Sequence, residues 1–210
     1  MRAGVNRRQE ERLTAGFNGG EALCYGKEKT LPDRLYLHVP VFDELWYRQK
    51  MLRDPETMSY NKGFDLSIPA YHKETGCVDF PEDAWQSWFK YFVGQEPDRY
   101  YAYIARLEDK AFIGEVNVHK VKNAGYYDMG IVLEAKCRGQ AYALEALRLL
   151  LEHAFVKMNV PCVHNYFEDS RSAAVRTHLS AGFRVHKRQS GMLELLITKE
   201  DYIKSRAAEQ

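Results

Sequence analysis

The chain has no closely spaced cysteines: Cys24, Cys77, Cys137 and Cys162 lie far apart and never form a CxxC pair. Metal-knuckle and dithiol chemistry have no spacing to rest on, so no metal is expected and the chain is read as reduced and cytoplasmic. Charge of either sign in excess is also missing, with 30 Lys and Arg against 29 Asp and Glu. No overall field draws such a chain to nucleic acid or to an anionic membrane, and recognition falls to local charge. No apolar run approaches the roughly 18–20 residues of a membrane span. The opening stretch "MRAGVNRRQEERLTAGFNGG" lacks the apolar centre of a signal peptide. Residues 1–32 are therefore read as an arm of unclear structure, ahead of one domain over 33–210. Apolar content is not lacking: 45% of the 210 residues are hydrophobic, enough for a full core.

Periodicity divides the rest. A short strand is expected over Leu35–Val39, followed by a helix from about Phe42 to Leu52 that stops before Pro55, because the residue ahead of a proline is pushed out of the helical region. Tyr60 to Asp83 carries glycines, prolines and aromatics without a period, and opens an aromatic-rich excursion at about 60–95. Within it Pro81 is placed to start a helix bearing Trp85, Trp88, Phe89 and Phe92 at helical spacings. "YYAYIARL", "AFIGEVNVHKV" and "YYDMGIVL" alternate as strands joined by short polar turns, which predicts an antiparallel meander. After Gly139, Leu144, Leu147, Leu151, Phe155 and Met158 recur on one helical face. "PCVHNYF" reads as a strand and Ser172–Ser180 as a helix closed by Gly182, with Leu179 expected in the core. "FRVHKRQSGMLELLIT" reads as a hairpin about Ser190-Gly191. The sum is an α/β fold with a mostly antiparallel central sheet flanked by helices.

The turn "KCRGQAYALEAL" carries the chemistry. Arg138 and Gly139 lead into Gln140, Ala141, Tyr142 and Ala143, so small residues sit where a helix begins. Unpaired N–H groups and the positive end of the helix dipole face outward there, and a phosphate can approach them. Arg138 can add a charge-assisted contact. Close packing alone also favours small residues at such a start.

These residues, with the later "SRSAAVRTHLSAGF", resemble the GNAT superfamily of acyl-coenzyme A dependent N-acetyltransferases over roughly Leu35 to Tyr202. The family's Arg/Gln-x-x-Gly-x-Gly/Ala motif matches Arg138–Ala143, with Ala141 in place of the usual glycine. In the later signature Ala174, Gly182 and Phe183 fit, Arg171 takes the usual Asn position and His178 the usual Tyr position. The opening "RLYLHVPVFDELWYRQKMLRDPETMSY" is similar to that of the ribosomal-protein alanine acetyltransferases and their relatives, whose acceptors range from protein N-termini to small amines.

The resemblance implies the GNAT fold, acetyl-coenzyme A as cofactor, and direct attack by a neutral primary amine in a ternary complex. Met129, Gly130, Ile131, Val132 and Leu133 would line the pantetheine arm and polarise the thioester carbonyl. The motif from Arg138 to Ala143, with Arg171 and Ala174, would complete the cofactor site. His178 has three readings: acid toward the departing thiolate, a coenzyme contact, or a structural histidine. Asp128 and Glu115 are the candidate bases, with His119 on the same side of its strand as Glu115. Each also reads as an ordinary strand residue. Tyr60, Phe64, Tyr71, His72 and Trp85, beside the acidic Glu74, Asp79, Glu82 and Asp83, can gather a cationic acceptor or simply pack as a lid. Lys187 and Arg188 suit an acidic acceptor or the coenzyme's phosphates instead. The leading expectation is acetylation of a small-molecule amine, against a peptide N-terminus or, in another class, a coenzyme A binding module without turnover. No nucleic acid or membrane partner is expected, and a homodimer is reasonable.

Overall fold

The computed structural model describes residues 33–208; the expected arm, residues 1–32, lies outside the described residues. Strands β1 (Leu35–His38), β2 (Arg99–Arg106), β3 (Phe112–Lys120), β4 (Tyr127–Leu133), β5 (Cys162–Glu168), β6 (Arg184–Gln189) and β7 (Met192–Thr198) form one sheet in the order β1-β2-β3-β4-β5-β7-β6. Every neighbouring pair is antiparallel except β4 and β5. These two are parallel and pair only at Tyr127↔Val163 and Asp128↔His164, so the strands part beyond those residues.

The helices are α1 (Leu45–Leu52), α2 (Pro55–Met58), α3 (Glu82–Phe92), α4 (Tyr142–Glu152), α5 (Ser172–Ser180) and α6 (Lys199–Ala208). Strand alternation sends one set of side chains to each face. Val116, Val118, Met129, Leu133, Val163, Leu193, Leu195 and Ile197 form the main core with Ala146, Leu147, Leu150 and Leu151 of α4. On the other face Tyr101 and Tyr103 of β2 pack against Tyr47 and Met51 of α1, with Trp88 and Phe92 of α3 beside them.

The expected elements form, with differences that have local causes. Pro55 does end the first helical stretch, and it also occupies the first turn of α2, where the Asp54 carboxylate accepts from the N–H groups of Glu56 and Thr57. The helix of "ALEALRLLLEHAF" closes with a π turn over His153–Lys157. Leu179 is not a core residue: it is 44% exposed while His178 is buried, because α5 turns the histidine ring toward Phe167 and Phe183 at 5.0 and 5.1 Å. The helix α6 has no counterpart in the sequence reading. Among the described residues no helix is long and apolar enough to cross a membrane.

Candidate active site

The point where β4 and β5 separate defines the site. Register places Glu115, Asn117 and His119 of β3 opposite Val132, Gly130 and Asp128 of β4, all on the α1/α3 face. His164 of β5 stands beside Asp128 on that face. A Cβ at Gly130 would meet only the end of the Asn117 side chain, whose amide nitrogen lies 2.6 Å from that position and can turn aside. Met129, Ile131 and Leu133 point into the main core or its margin. The backbone of Met129–Leu133 thus runs along the open side of the cleft.

Beyond β4 the chain turns through Ala135–Cys137 into α4. Gly139 and Ala141 both take positive φ, +77° and +62°, and Ala141 is the helix N-cap without any side-chain cap bond. Gly139, Gln140 and Ala141 are exposed, and a Cβ added to Gly139 would meet nothing within 4 Å. Uncapped N–H groups of the first turn therefore face open space at the positive end of α4, which fits a pyrophosphate. Tyr142 and Ala143 lean on the main core, and Tyr142 lies under Arg34 at 4.5 Å. A cavity of about 340 Å³ lies near Lys136, Cys137 and Gln140. Its cations already have partners, Arg106 on Asp109 and Lys136 on Glu134.

Both arginines of the motifs reach the same segment. Arg138 donates to the carbonyls of Glu56 and Thr57 at 3.3 and 2.5 Å. Arg171, from the β5 side of the cleft, donates to the Tyr60 carbonyl at 2.9 Å and lies over the rings of Tyr60 and Phe64 at 5.3 and 5.7 Å. The stretch Glu56–Phe64 is thereby fastened to both walls. Tyr71 ties it further, its single hydroxyl proton shared between the Asn61 and Phe64 carbonyls at 2.5 and 3.0 Å. The Tyr60 hydroxyl is pushed up to about 12 by burial and then by the Glu115 charge. Tyr60 and Phe64 thus lie together beside Arg171. Trp85 instead packs against Phe42 and Phe80, and His72 is an exposed loop residue 3.0 Å from Asp79.

The candidate acid and bases sit in different surroundings. His178 is buried; its Nδ1 donates to the Ala174 carbonyl at 2.8 Å, and its Nε2 accepts from the Asn165 amide at 2.8 Å. Burial holds its pKa below the ordinary value, so the ring is a neutral tautomer with both nitrogens engaged. Glu115 is buried too, both oxygens accepting from Arg48 and one also from the Tyr101 hydroxyl. Arg48 lies over Trp88 at 4.6 Å and its Nε is buried without a partner. Asp128, by contrast, keeps a side chain 39% exposed, with one oxygen on Nδ1 of His164. His119 beside it is held below the ordinary imidazole value, chiefly by burial.

Sequence reasoning missed Arg48, His164 and Glu194. His164 Nε2 lies 3.3 Å from Glu194 Oε1, which completes a carboxylate–imidazole–carboxylate row across β4, β5 and β7. The available signal was parity: His164 alternates with core residues Val163 and Phe167 on its strand, which leaves a histidine on the polar side.

Solved structures of like fold include an acetyltransferase of the GNAT family from Bacillus anthracis, at 17% identity over 80% of this chain and 96% of that one, TM-score 0.60. A spermidine N-acetyltransferase from Vibrio cholerae in complex with CoA and spermine aligns at 14% identity over 81% and 98%, TM-score 0.63. Apo FdhC, a nucleotide-linked sugar GNAT, aligns at 16% over 84% and 93%, TM-score 0.62. Likeness at these identities speaks for the fold alone. No curated protein matches the sequence. The family profile "Acetyltransferase (GNAT) domain" matches residues 34–184, well over half of the chain, and the protein belongs to the GNAT acetyltransferases.

Proposed function

We propose that the protein moves an acetyl group from acetyl-coenzyme A to a primary amine, most readily that of a small molecule. The observation that carries this reading is the parting of β4 and β5 immediately after Asp128 and His164, with an uncapped helix start beyond the splay. Gly139 to Ala143 would hold the pyrophosphate by their N–H groups, and the Met129–Leu133 backbone would hold the pantetheine arm. Acetyl-coenzyme A supplies the activated acyl group. Asp128, at the vertex and part-exposed, takes the amine proton; Glu115 is already spent on Arg48 and Tyr101 and braces the floor. His178, neutral and internally bonded, acts as a structural residue between α5 and β5.

The small-molecule preference rests on the Glu56–Phe64 segment, to whose carbonyls both Arg138 and Arg171 donate and which, held there, would narrow the cleft against an extended peptide. That preference sets the ribosomal-protein alanine subgroup reading second. The amine acceptor of the similar Vibrio cholerae spermidine enzyme is in keeping with it.

The test is calorimetric titration with acetyl-coenzyme A, followed by thiol release against a panel of diamines, aminoglycosides, amino acids and N-terminal peptides. Micromolar cofactor binding and turnover with at least one small amine, reduced at least a hundredfold in Asp128→Asn, is the expected result. Turnover confined to peptides overturns the acceptor preference. Cofactor binding without turnover on any amine overturns the enzymatic reading.

A further inference from the structure

We propose that Asp128, His164 and Glu194 act as one proton-handling unit, in which His164 stores the proton that Asp128 takes from the acceptor amine and Glu194 passes a proton on to solvent. The inference rests on the acetyl-transfer reading above for the source of the proton. Three strands that are distant in sequence deliver the three groups. Asp128 and His164 are register partners on β4 and β5, and Glu194 on β7 stands opposite Tyr166, two residues along β5 from His164 and on the same face.

Exposure is graded in the manner such a unit needs. Asp128 at the cleft and Glu194 at the far end have side chains 39% and 23% exposed, while that of His164 between them is 7% exposed. Each imidazole nitrogen faces one carboxylate: Nδ1 bonds to Asp128, and Nε2 lies 3.3 Å from Glu194. At that point Nε2 is buried and makes no well-aligned hydrogen bond, so it is not committed to a structural role. Tyr126 covers the ring at a centroid distance of 4.4 Å and shields it from water. Beyond Glu194 an open cavity of about 160 Å³, walled by Tyr166, Lys187, Ser190 and Met192, connects the row to solvent.

Imidazole is the side chain able to accept a proton on one nitrogen and release one from the other near neutral pH. The amine N–H bond breaks as a proton passes over an Asp128 oxygen to Nδ1, which leaves an imidazolium between two carboxylates. The ring that receives this proton carries its own proton on Nε2, which passes to Glu194 and so to water; the starting tautomer returns as Nδ1 hands its proton back through the part-exposed Asp128 while Glu194 returns one from water to Nε2. One proton enters and one leaves. The other ionisable neighbours are His119 on β3 opposite Asp128, Arg99 on β2 opposite His119, Tyr166 on β5 and Lys187 on β6 opposite Glu194, and Tyr126 before β4. Burial, first, holds His119 below the ordinary imidazole value and so disfavours a competing positive charge beside Asp128.

Nitrogen-15 NMR of histidine-labelled protein tests the unit without any acceptor. The Nδ1 and Nε2 resonances of His164 should both move in Glu194→Gln and in Asp128→Asn relative to the wild type, since each carboxylate faces one ring nitrogen. With the acceptor from the amine panel, the acid limb of kcat/KM should move to lower pH in Glu194→Gln. In His164→Gln kcat should fall about tenfold or more with acetyl-coenzyme A binding unchanged. His164 nitrogen resonances unaltered by Glu194→Gln overturn the proposal, as does an unaltered kcat/KM profile. If no amine is acetylated at all, the acetyl-transfer reading fails by itself, and the NMR comparison still decides whether the three groups share protons.

Discussion

Ala141 is the one residue of the turn proposed to hold the pyrophosphate whose backbone and chemistry can be tested separately. Its φ of +62° and ψ of 7° lie in the left-handed region, where an L-residue with a Cβ is strained by roughly 1–2 kcal/mol. Glycine removes that strain but loosens the unfolded chain, at about 0.4–1 kcal/mol. Ala141→Gly should therefore stabilise the fold by up to about 1.6 kcal/mol, and each 1 kcal/mol raises Tm by about 2–4 °C in a domain of this size. Ala141→Asp separates folding from binding. Asp tolerates this conformation better than most residues, and a carboxylate at a helix N-terminus is worth about 0.3–1 kcal/mol to the helix. The same carboxylate about 4 Å from a phosphate oxygen opposes it by about 1–4 kcal/mol, between the limits set by water and a protein surface. Coenzyme A affinity should then fall roughly 5- to 700-fold in a protein as stable as the wild type. Thermal unfolding and calorimetric titration measure the two effects independently. A folded Ala141→Asp variant that binds coenzyme A like the wild type would refute the placement of the pyrophosphate on this turn. A lower Tm for Ala141→Gly would refute the strain argument.

Two further outcomes concern stability. The Arg48–Glu115 pair has side chains only 16% and 6% exposed, so Arg48→Ala should cost about 3–5 kcal/mol in urea unfolding by stranding a buried carboxylate. The double change Arg48→Met with Glu115→Leu should recover most of it, and a single-variant cost under about 1 kcal/mol contradicts the pairing. His178 gives a pH signature: its folded pKa lies below the unfolded 6.5, so an unfolded chain binds a proton that the native state refuses. Its contribution is fully present above pH 6.5 and is lost as pH falls toward the native value, with a slope of up to about 1.4 kcal/mol per pH unit. The difference in unfolding free energy between wild type and His178→Gln should shrink over that window. A pH-independent difference would mean that His178 is not held neutral.

Local order determined much of this protein directly. The leucine period of α4, the Gly182 stop after α5 and the Ser190-Gly191 hairpin depend on residues a few positions apart, and they form as read. The turn proposed to take the pyrophosphate is legible for the same reason, since Arg138 through Ala143 are contiguous. What tertiary structure alone decided is which distant side chains meet. Arg48 finds Glu115 across 67 positions, and Arg138 and Arg171 close on one segment more than 80 residues upstream. His164 reaches Asp128 and Glu194 only through the strand order β4-β5-β7. Within an isolated strand, alternation separates two faces but does not say which neighbour lies alongside or in what register. A shift of one residue would turn His164 into the core and Val163 out of it. The rotation of α5, which buries His178 and exposes Leu179, is likewise set by the packing of Phe167 and Phe183 and not by the helix's own pattern.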